Sequence, residues 1–233
     1  MTRGMIYNRE NFLNHIAGEL GRERKKEVTR PEKQYQPQLK VFAKMTPDQL
    51  LEELIRACER IHTEVFVTNA ASIEKTLKRQ IEAYGGGPIV TAEDLRFFGF
   101  GLGMLLEQEN VHKWDPSLGK ENIEIAEKAN IGIMFSDITL AESGTVVILN
   151  NKNKARAISL LPTTFIAIIP KSTIVPRFTQ AAQEIERRMQ TGQTIASCIN
   201  FISGPSNSAD IEYNLVVGVH GPIRVSYIVV EDR

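Results

Sequence analysis

Cysteine is scarce in this sequence of 233 residues, which contains only Cys58 and Cys198. Two thiols so far apart in the chain can form neither a CxxC zinc site nor the four-thiolate ligand set of an iron–sulfur cluster. They do not make a disulfide framework either, so the sequence predicts a reduced, cytoplasmic protein. Cys58 lies in the helical pattern LIRACERI, where we expect a small buried apolar side chain rather than a nucleophile.

Long apolar runs are also missing. The longest apolar stretches, near residues 166–169 and 215–219, have the length of strands and fall well short of a membrane span. The first residues, MTRGMIYNRENFLNHIAGEL, contain no apolar core typical of a secretory signal. We therefore expect no membrane-spanning segment and a location in the cytoplasm.

An excess of charge of one sign is absent as well, since 28 basic and 28 acidic side chains give a formal net charge of zero. This balance excludes a basic field over the whole surface, so we expect no nucleic-acid partner. The charge is unevenly spread, because residues 1–44 hold ten basic and five acidic side chains whereas residues 45–128 hold nine and fifteen. A hydrophobic fraction of 42% is enough for a sizeable core and excludes a disordered chain.

The amino-terminal part of the chain predicts a short helix followed by an exposed linker. Phe12, Ile16 and Leu20 recur at helical spacing, and Asn8 is placed to act as the N-cap. The following residues, GRERKKEVTRPEKQYQPQLK, carry many charges and almost no apolar periodicity. We therefore predict two parts, an N-terminal helix with a basic linker over residues 1–44 and one α/β domain over residues 45–233.

The remainder of the chain alternates helical and strand-like patterns. Thr46, with Pro47 and Gln49, predicts a capping box that begins an amphipathic helix. The alternation indicates an α/β fold whose central sheet is mainly parallel and flanked by helices. Residues 131–169 contain little helical pattern, so we expect antiparallel pairing in this part and a mixed arrangement. The last predicted helix covers residues 175–189.

Three polar turns between apolar runs are candidates for a functional site. In the first, Gly144 allows a tight turn, and the hydroxyls of Ser143 and Thr145 flank it. Glu142 could serve there as a general base, a nucleophile or a ligand for an amine. The alternative is a polar turn that only joins two strands.

The second turn, SGPSNSADIE over residues 203–212, combines Gly204 and Pro205 with three serines. Its free backbone N–H groups could hold an anion if a helix began directly after it, although Asp210 and Glu212 oppose a phosphate at close range. The spacing matches neither a P-loop nor a dinucleotide-binding fingerprint.

The third turn places His220 beside Gly221 and Pro222, between two apolar runs. A histidine at a strand end could titrate near neutral pH or bind an anion, and a hydrogen-bonded structural histidine is an equal alternative. Arg156 could pair with a carboxylate or phosphate, or could be an ordinary surface arginine. The other histidines lack metal-ligand spacing, so we expect no metal site in this chain.

Taken in order, the segments AESGTVVIL, ARAISLLPTTFIAIIP and ISGPSNSADIEYNLVVGVHGP resemble the lactate utilization protein C family, also called the LUD domain family. The resemblance covers most of residues 45–233. It implies a fold similar to the sugar-phosphate isomerases and CoA transferases. It also implies action with two iron–sulfur partner proteins in the oxidation of L-lactate to pyruvate, in which this chain is the cluster-free component without a cofactor of its own.

The resemblance implies roles for the three turns, since they match the family's Glu-Thr-Gly turn, its GPS…ADIE loop and its HGP turn. Glu142 and His220 are the catalytic candidates. The ligand-binding candidates, with Arg156 added from its position after a turn, are Glu142, Ser143, Gly144, Thr145, Arg156, Ser203, Gly204, Pro205, Ser206, Asp210, Glu212, His220 and Gly221. Many relatives carry a basic residue and Thr where this chain has Asn207 and Ser208, and His where it has Phe165. These departures speak against a mechanism that needs a cation at 207 or an imidazole at 165.

Two alternatives to the lactate role stay open. One is an autonomous CoA or acyl transferase, or an isomerase, that uses Glu142. The other is a non-catalytic adaptor or regulator, for which we expect a contiguous apolar or charged surface away from the turns. A small-molecule ligand and a homo-oligomer are compatible with each of these functions.

Overall fold

The computed structural model describes residues 6–25, 27–29, 31–32, 34–211 and 214–233. The chain separates into two compact units, Met1–Gln36 and Pro37–Arg233. The first unit contains helix α1 (Arg9–Glu19). Asn8 stands at its N-cap position with a φ of 58°, but the side chain forms no capping hydrogen bond, so the predicted cap is only partly right. The domain boundary that we placed at residue 44 stays a prediction.

The second unit is built on a sheet of six parallel strands. In their order across the sheet they are β1 (Glu64–Thr68), β12 (Arg224–Val230), β7 (Thr164–Pro170), β4 (Ile131–Phe135), β2 (Ile89–Thr91) and β3 (Val111–Lys113). Every neighbouring pair is parallel, which confirms the predicted mainly parallel sheet. Parallel neighbours require crossover connections, and the helices of this unit lie in several of them.

The antiparallel pairing that we expected within residues 131–169 lies in a second sheet. Its strands, in order, are β8 (Ile174–Val175), β5 (Ile138–Leu140), β6 (Thr145–Leu149) and β9 (Ile199–Ile202). Strand β6 runs antiparallel to both β5 and β9. Strands β10 (Asn207–Ile211) and β11 (Asn214–Val217) form a separate antiparallel hairpin.

The helices of the second unit are α2 (Pro47–Arg60), α3 (Ile73–Ala83), α4 (Arg96–Gly99), α5 (Glu121–Lys128), α6 (Ala157–Leu160) and α7 (Phe178–Gln190). Short 3-10 turns occur at Pro37–Leu39, Gly103–Glu107, Pro116–Leu118 and Lys171–Thr173. Helix α7 begins later than residue 175, where we predicted it. Ala141 N and Glu142 N donate to Val175 O and Pro176 O, and these bonds hold the preceding residues extended beside β5.

Helix α2 begins at the capping box predicted from the sequence. Gln49 N donates to Thr46 Oγ1 at 3.3 Å, and Thr46 N donates to Gln49 Oε1 at 2.9 Å. Cys58 is fully buried within the apolar stripe of this helix. The expected burial of Cys58 is confirmed, and burial raises the pKa of its thiol to about 12.

Two hydrophobic cores cover the two faces of the parallel sheet. Along β7, Phe165 and Ala167 lie in one core with α2, α5 and α6, whereas Ile166 and Ile168 lie in the other with α3 and α4. This alternation follows from the pleat of the strand, and apolar residues on both faces are typical of buried parallel sheets. A smaller core around Ala181 joins the second sheet to α7.

The common direction of the parallel strands defines two edges of the central sheet. We call the edge where the strands begin the amino edge, and the edge where they end the carboxyl edge. The third polar turn directly precedes β12 and therefore lies at the amino edge. Asp94 and Asp137 follow the ends of β2 and β4, at the carboxyl edge. Ligands of open α/β sheets usually bind at the carboxyl edge.

Candidate functional site

The structure brings the first and second polar turns together through their hydroxyl groups. Thr145 Oγ1 lies 2.7 Å from Ser143 Oγ and 2.6 Å from Ser203 Oγ, so three hydroxyls form a continuous chain. Thr145 is the first residue of β6, and Ser203 directly follows β9, its antiparallel neighbour. The pairing of these two strands therefore places residues from distant parts of the sequence side by side.

Tyr227, on strand β12, fixes the backbone of both turns. Its hydroxyl lies 2.9 Å from Gly144 O and 3.2 Å from Ile202 O, and Gly204 N donates to it at 3.5 Å. The side chain is fully buried, and burial raises the pKa of its hydroxyl well above the ordinary value. The hydroxyl therefore stays protonated and remains a donor. No motif in the sequence marked Tyr227.

Gly144 and Gly204 both lie against the residues that end helix α2. A Cβ at Gly144 would lie 2.8 Å from Ile61 Cδ1, and a Cβ at Gly204 would lie 2.5 Å from Ile61 O. Their φ values of 63° and 72° also favour glycine by backbone conformation. Gly204 therefore packs against backbone at the end of α2, whereas Gly144 packs against the end of the Ile61 side chain.

Ser206 holds the third turn against the second. Its N–H donates to Pro222 O at 2.9 Å, its carbonyl accepts from Gly218 N at 2.9 Å, and its Oγ accepts from His220 N at 3.2 Å. Gly221 permits this approach, because a Cβ there would lie 3.3 Å from Ser206 Cβ. The three turns thus meet in one amino-edge cluster, which consists of Ser143, Gly144, Thr145, Ser203, Gly204, Pro205, Ser206, His220, Gly221 and Pro222.

Glu142 lies at the margin of the amino-edge cluster, in an ion pair. Arg177 Nε donates to Glu142 Oε2 at 2.6 Å, and Arg60 Nη2 donates to Glu142 O at 3.3 Å. The Glu142 side chain is 39% exposed. The ion pair occupies Oε2 of the carboxylate and holds the side chain against Arg177, away from the hydroxyls of the cluster's turns. In this geometry Glu142 joins the first turn to α7.

The second turn does not form the anion site that a following helix would provide. The chain after it enters strand β10, so no helix begins directly after the turn. Asp210 belongs to β10, and Glu212 lies outside the described residues.

Phe165 is fully buried in the core, and Asn207 Nδ2 donates to Pro205 O at 3.3 Å. Phe165 and Asn207, which both differ from the family pattern, are therefore both held by contacts within this chain.

A cavity of about 290 Å³ adjoins the amino-edge cluster at Pro205 and Asn207. Arg224 lines it and lies 4.7 Å from the centre of the Tyr84 ring. His220 is exposed and lies outside this lining. The volume is at the lower limit of ordinary small-molecule pockets.

Arg156 lies apart from the three turns, in a larger cleft of about 1030 Å³ at the carboxyl edge. We call it the carboxyl-edge cleft, and its lining residues are Asp137, Leu149, Asn150, Asn151, Lys152, Lys154, Ala155, Arg156, Arg188 and residues 193–198. Four of these side chains are cationic and one is acidic. The cleft therefore favours anions.

An ion network joins this cleft to the end of the central sheet. Lys154 Nζ lies 2.9 and 2.7 Å from the two carboxylate oxygens of Asp137, and Arg96 Nη2 lies 2.9 Å from Asp137 Oδ1. Arg96 also pairs with Asp94 at 2.6 Å and donates to Ser136 O at 3.0 Å. Two carboxylates and two cations balance the charge within the network.

Burial and charge act in opposite directions on the members of this network. Burial alone would raise the pKa of Asp94, but hydrogen bonds and the charge of Arg96 outweigh it and hold this pKa below its ordinary value. Burial alone would lower the pKa of Arg96, and the carboxylates of Asp94 and Asp137 raise it instead. Asp94 and Arg96 are therefore both charged at neutral pH.

No motif in the sequence marked the four residues of this network. The available signal was positional, since Asp94 and Asp137 each follow a strand and such positions converge at the carboxyl edge. Lys154 lies in the turn after β6, and Leu149 N, at the end of β6, donates to Asp137 Oδ2 at 2.7 Å. The pairing of Lys154 with Asp137 therefore depends on the path of β6, and no local sequence pattern reveals that path.

Hydroxyl groups occur in both candidate sites, and the carboxyl-edge cleft adds charged, amide and apolar side chains. Within the described part of the chain, no group of three or more His, Cys, Asp or Glu side chains is arranged to hold a metal ion. In the same residues, no helix combines the length and the apolar character that crossing a membrane requires.

Comparison with known proteins shows to which family this chain belongs. Residues 51–230 match the family model described as LUD domain. Proteins named Lactate utilization protein C are 55% identical in Geobacillus kaustophilus (strain HTA426), 52% in Macrococcus caseolyticus (strain JCSC5402) and 50% in Bacillus subtilis (strain 168), with 100% of this chain and of each relative covered. The crystal structure of a DUF162 family protein from Deinococcus radiodurans shares the fold at 15% identity and a TM-score of 0.57, over 80% of this chain and 99% of that one. On the family model and the full-length relatives, this chain belongs to the LUD domain family.

Proposed function

We propose that this chain is the cluster-free component of a cytoplasmic L-lactate utilization system. It acts with two iron–sulfur partner proteins in the oxidation of L-lactate to pyruvate. The observation that carries this proposal is the identity of 50–55% to relatives named Lactate utilization protein C. The identity extends over the whole of both chains, including the part before the LUD domain, and this supports a shared role of the whole protein.

The cysteine content supports the proposal that this chain is the component without an iron–sulfur cluster. The full sequence holds two cysteines, and Cys58 is fully buried with its pKa raised to about 12 by burial. An iron–sulfur cluster is usually held by four thiolates. Electrons from L-lactate would therefore pass through clusters of the partner proteins, while this chain supplies binding and positioning.

The two candidate sites offer different means of binding. The carboxyl-edge cleft is rich in cations, which bind organic anions through charge-assisted hydrogen bonds. The amino-edge cluster exposes Ser143, Ser203 and His220 on a backbone that Tyr227 and Ser206 hold in place. Such a fixed polar surface suits recognition, because little conformational entropy is lost on binding.

The geometry gives less support to an autonomous transferase or isomerase that uses Glu142. Arg177 engages its carboxylate at 2.6 Å, and Glu142 lies outside the lining of the carboxyl-edge cleft. A non-catalytic adaptor is the second candidate, and one observation favours it. The hairpin of β10 and β11 exposes the apolar side chains of Leu215 and Val217, which are 63% and 46% exposed.

Growth on L-lactate tests the proposed role directly. In a host that encodes this chain and no paralogue, deletion of its gene should abolish growth on L-lactate as sole carbon source. Growth on glucose should be unchanged, and expression of the wild-type chain should restore growth on L-lactate. Normal growth of the deletion strain on L-lactate would contradict the proposal.

A reconstituted assay separates the alternatives. Lactate-dependent reduction of an artificial acceptor is measured with both partner proteins, with and without this chain. The proposal predicts that omission of the chain removes the activity. An adaptor predicts full activity of the partners alone in dilute solution, although cells need the chain. An autonomous enzyme predicts turnover of CoA esters or sugar phosphates by the purified chain alone, lost in Glu142→Gln.

A further inference from the structure

The carboxyl-edge cleft, at about 1030 Å³, is several times larger than the cavity of about 290 Å³ beside the amino-edge cluster, and the proposed function leaves its occupant open. We propose that it binds an organic phosphate of nucleotide size, whose phosphate is held by Lys152 and Arg156. The inference goes beyond the lactate role and does not depend on it. It rests on the size of the cleft, on the balance of its charges and on the character of its walls.

The size of the cleft argues against a small acid as its occupant. Small-molecule pockets typically measure about 300–1,000 Å³, and this cleft measures about 1030 Å³. A three-carbon acid would leave most of that space filled with water and would lose most of its contacts with the walls. A ligand with the bulk of a nucleotide fills it.

The charges argue for an anionic group at one end of the ligand. Lys154 is neutralised by Asp137, and Arg188 pairs with Glu184 at 2.8 Å. Lys152 and Arg156 also line the cleft and are exposed, and no ion pair involves either of them within the described part of the chain. Their two positive charges are therefore available to a phosphate, which a guanidinium can bind with two hydrogen bonds.

The walls argue for an organic body rather than a bare ion. Leu149, Ala155 and Ile195 contribute apolar surface to the lining. Asn150 also lines the cleft, is 7% exposed, and its Oδ1 has no hydrogen-bond partner among the described residues. This oxygen is itself buried, so a hydroxyl or N–H group of a ligand would pair with it only after the Asn150 side chain turns toward the cleft. Phosphate, apolar surface and hydrogen-bond donors occur together in a nucleotide.

Cys198 provides a reporter in the wall of the cleft. It is partly exposed, whereas Cys58 is fully buried and its pKa is raised to about 12. Iodoacetamide at pH 8 should therefore label the folded chain at Cys198 and not at Cys58, since the thiolate is the reactive form. A ligand that fills the cleft should shield Cys198.

The test measures the rate of Cys198 alkylation in the full chain by mass spectrometry. The probes are ADP, AMP, adenosine, inorganic phosphate and L-lactate. At an ADP concentration of about ten times its Kd the rate should fall about tenfold, since only the free chain reacts. AMP should protect less than ADP at equal concentration, and adenosine and inorganic phosphate should not protect. Failure of both ADP and AMP to slow labelling at millimolar concentration would overturn the proposal.

A pair of variants tests the role of the two cations. The double variant Lys152→Ala with Arg156→Ala removes two exposed side chains of the cleft, and Lys120→Ala with Lys128→Ala removes two exposed cations elsewhere. The first should need at least about tenfold more ADP for the same protection, and the second should match the wild type. Equal protection of the first variant and the wild type would overturn the assignment.

The results of these experiments distinguish a failure of this proposal from a failure of the proposed lactate role. Protection by L-lactate and not by ADP would overturn the organic phosphate and leave the lactate role standing. Protection by ADP, together with normal growth of the deletion strain on L-lactate, would support the ligand of the cleft while the proposed function fails.

Discussion

Lys154 and Asp137 form an ion pair in which the ammonium nitrogen lies 2.7 and 2.9 Å from the two carboxylate oxygens. The two side chains are only 8% and 11% exposed. Asp137 also accepts hydrogen bonds from Arg96 Nη2 and from Leu149 N. This one carboxylate therefore connects the end of β4, the end of β6 and the segment after β2, and it shapes the carboxyl-edge cleft.

Replacement of Asp137 by Asn should destabilise the protein strongly. The substitution keeps the size of the side chain but leaves Lys154 and Arg96 with an uncompensated positive charge in a largely buried place. We expect the free energy of unfolding to fall by about 3–5 kcal/mol. Urea denaturation followed by circular dichroism at pH 7 measures this loss.

Two further variants serve as controls for this loss. Glu186→Gln removes an exposed acid on α7 and should change the stability by less than about 0.5 kcal/mol. Lys154→Met added to Asp137→Asn should recover part of the loss, because the unpaired ammonium is removed. If Asp137→Asn is as stable as the wild type, the network does not hold this part of the fold.

Asp94 should make the stability of the protein depend on pH in the acid range. Its pKa is lower in the folded chain than its ordinary value of 3.8, so its pairing stabilises the fold above that value and is lost as the pH falls through the folded pKa. The stability difference between the wild type and Asp94→Asn should be largest at pH 7 and should shrink below about pH 4. Urea denaturation at a series of pH values measures it, and a constant difference down to about pH 2.5 would contradict the role of Asp94.

Much of the fold could be predicted because its signals are local. Residues 165–169 are apolar on both faces, which indicates a strand buried in a parallel sheet, and Thr46 with Gln49 marks the start of α2. The start of α7 was misplaced because hydrogen bonds from Ala141 and Glu142 hold Val175 and Pro176 extended. Those bonds cross from another strand, so no neighbouring residue reveals them.

The candidate site was less predictable because its contacts are long-range. The meeting of Thr145 with Ser203 depends on the antiparallel pairing of β6 and β9, and the anchor that fixes both turns is Tyr227 on β12. Arg156 belongs to the segment ARAISLLPTTFIAIIP, and it lies in the carboxyl-edge cleft, at the opposite edge of the sheet from the three turns. No local sequence pattern showed that Arg156 lies away from the three turns.

Replacement of Tyr227 by Phe should loosen the amino-edge cluster. The hydroxyl is buried, and its loss leaves the carbonyl of Gly144 without the donor that lies 2.9 Å away. An unsatisfied buried acceptor costs about 1–3 kcal/mol, and we expect that loss in the free energy of unfolding. Tyr35→Phe, at a side chain that is 85% exposed, is the matched control and should leave stability unchanged. A Tyr227→Phe variant as stable as Tyr35→Phe would show that the hydroxyl does not hold the turns.

Gly204→Ala tests whether the second turn is fixed by contact with α2. Gly204 has a φ of 72°, and a Cβ there would lie 2.5 Å from Ile61 O and 2.9 Å from Thr63 Oγ1. Gly85→Ala is the matched control, since its φ is 87° and a Cβ there would meet nothing within 4 Å. Gly85→Ala should cost about 1–2 kcal/mol from backbone conformation alone.

Gly204→Ala should cost about 1–3 kcal/mol more than this control, because the added methyl group overpacks a contact with backbone. Thermal and urea unfolding of the two variants give the difference directly, and the strain of positive φ cancels between them. Equal losses would mean that the second turn moves away from α2 to make room. The amino-edge cluster would then be an adaptable surface, and the hydroxyl chain from Ser143 to Ser203 would not be held in one geometry.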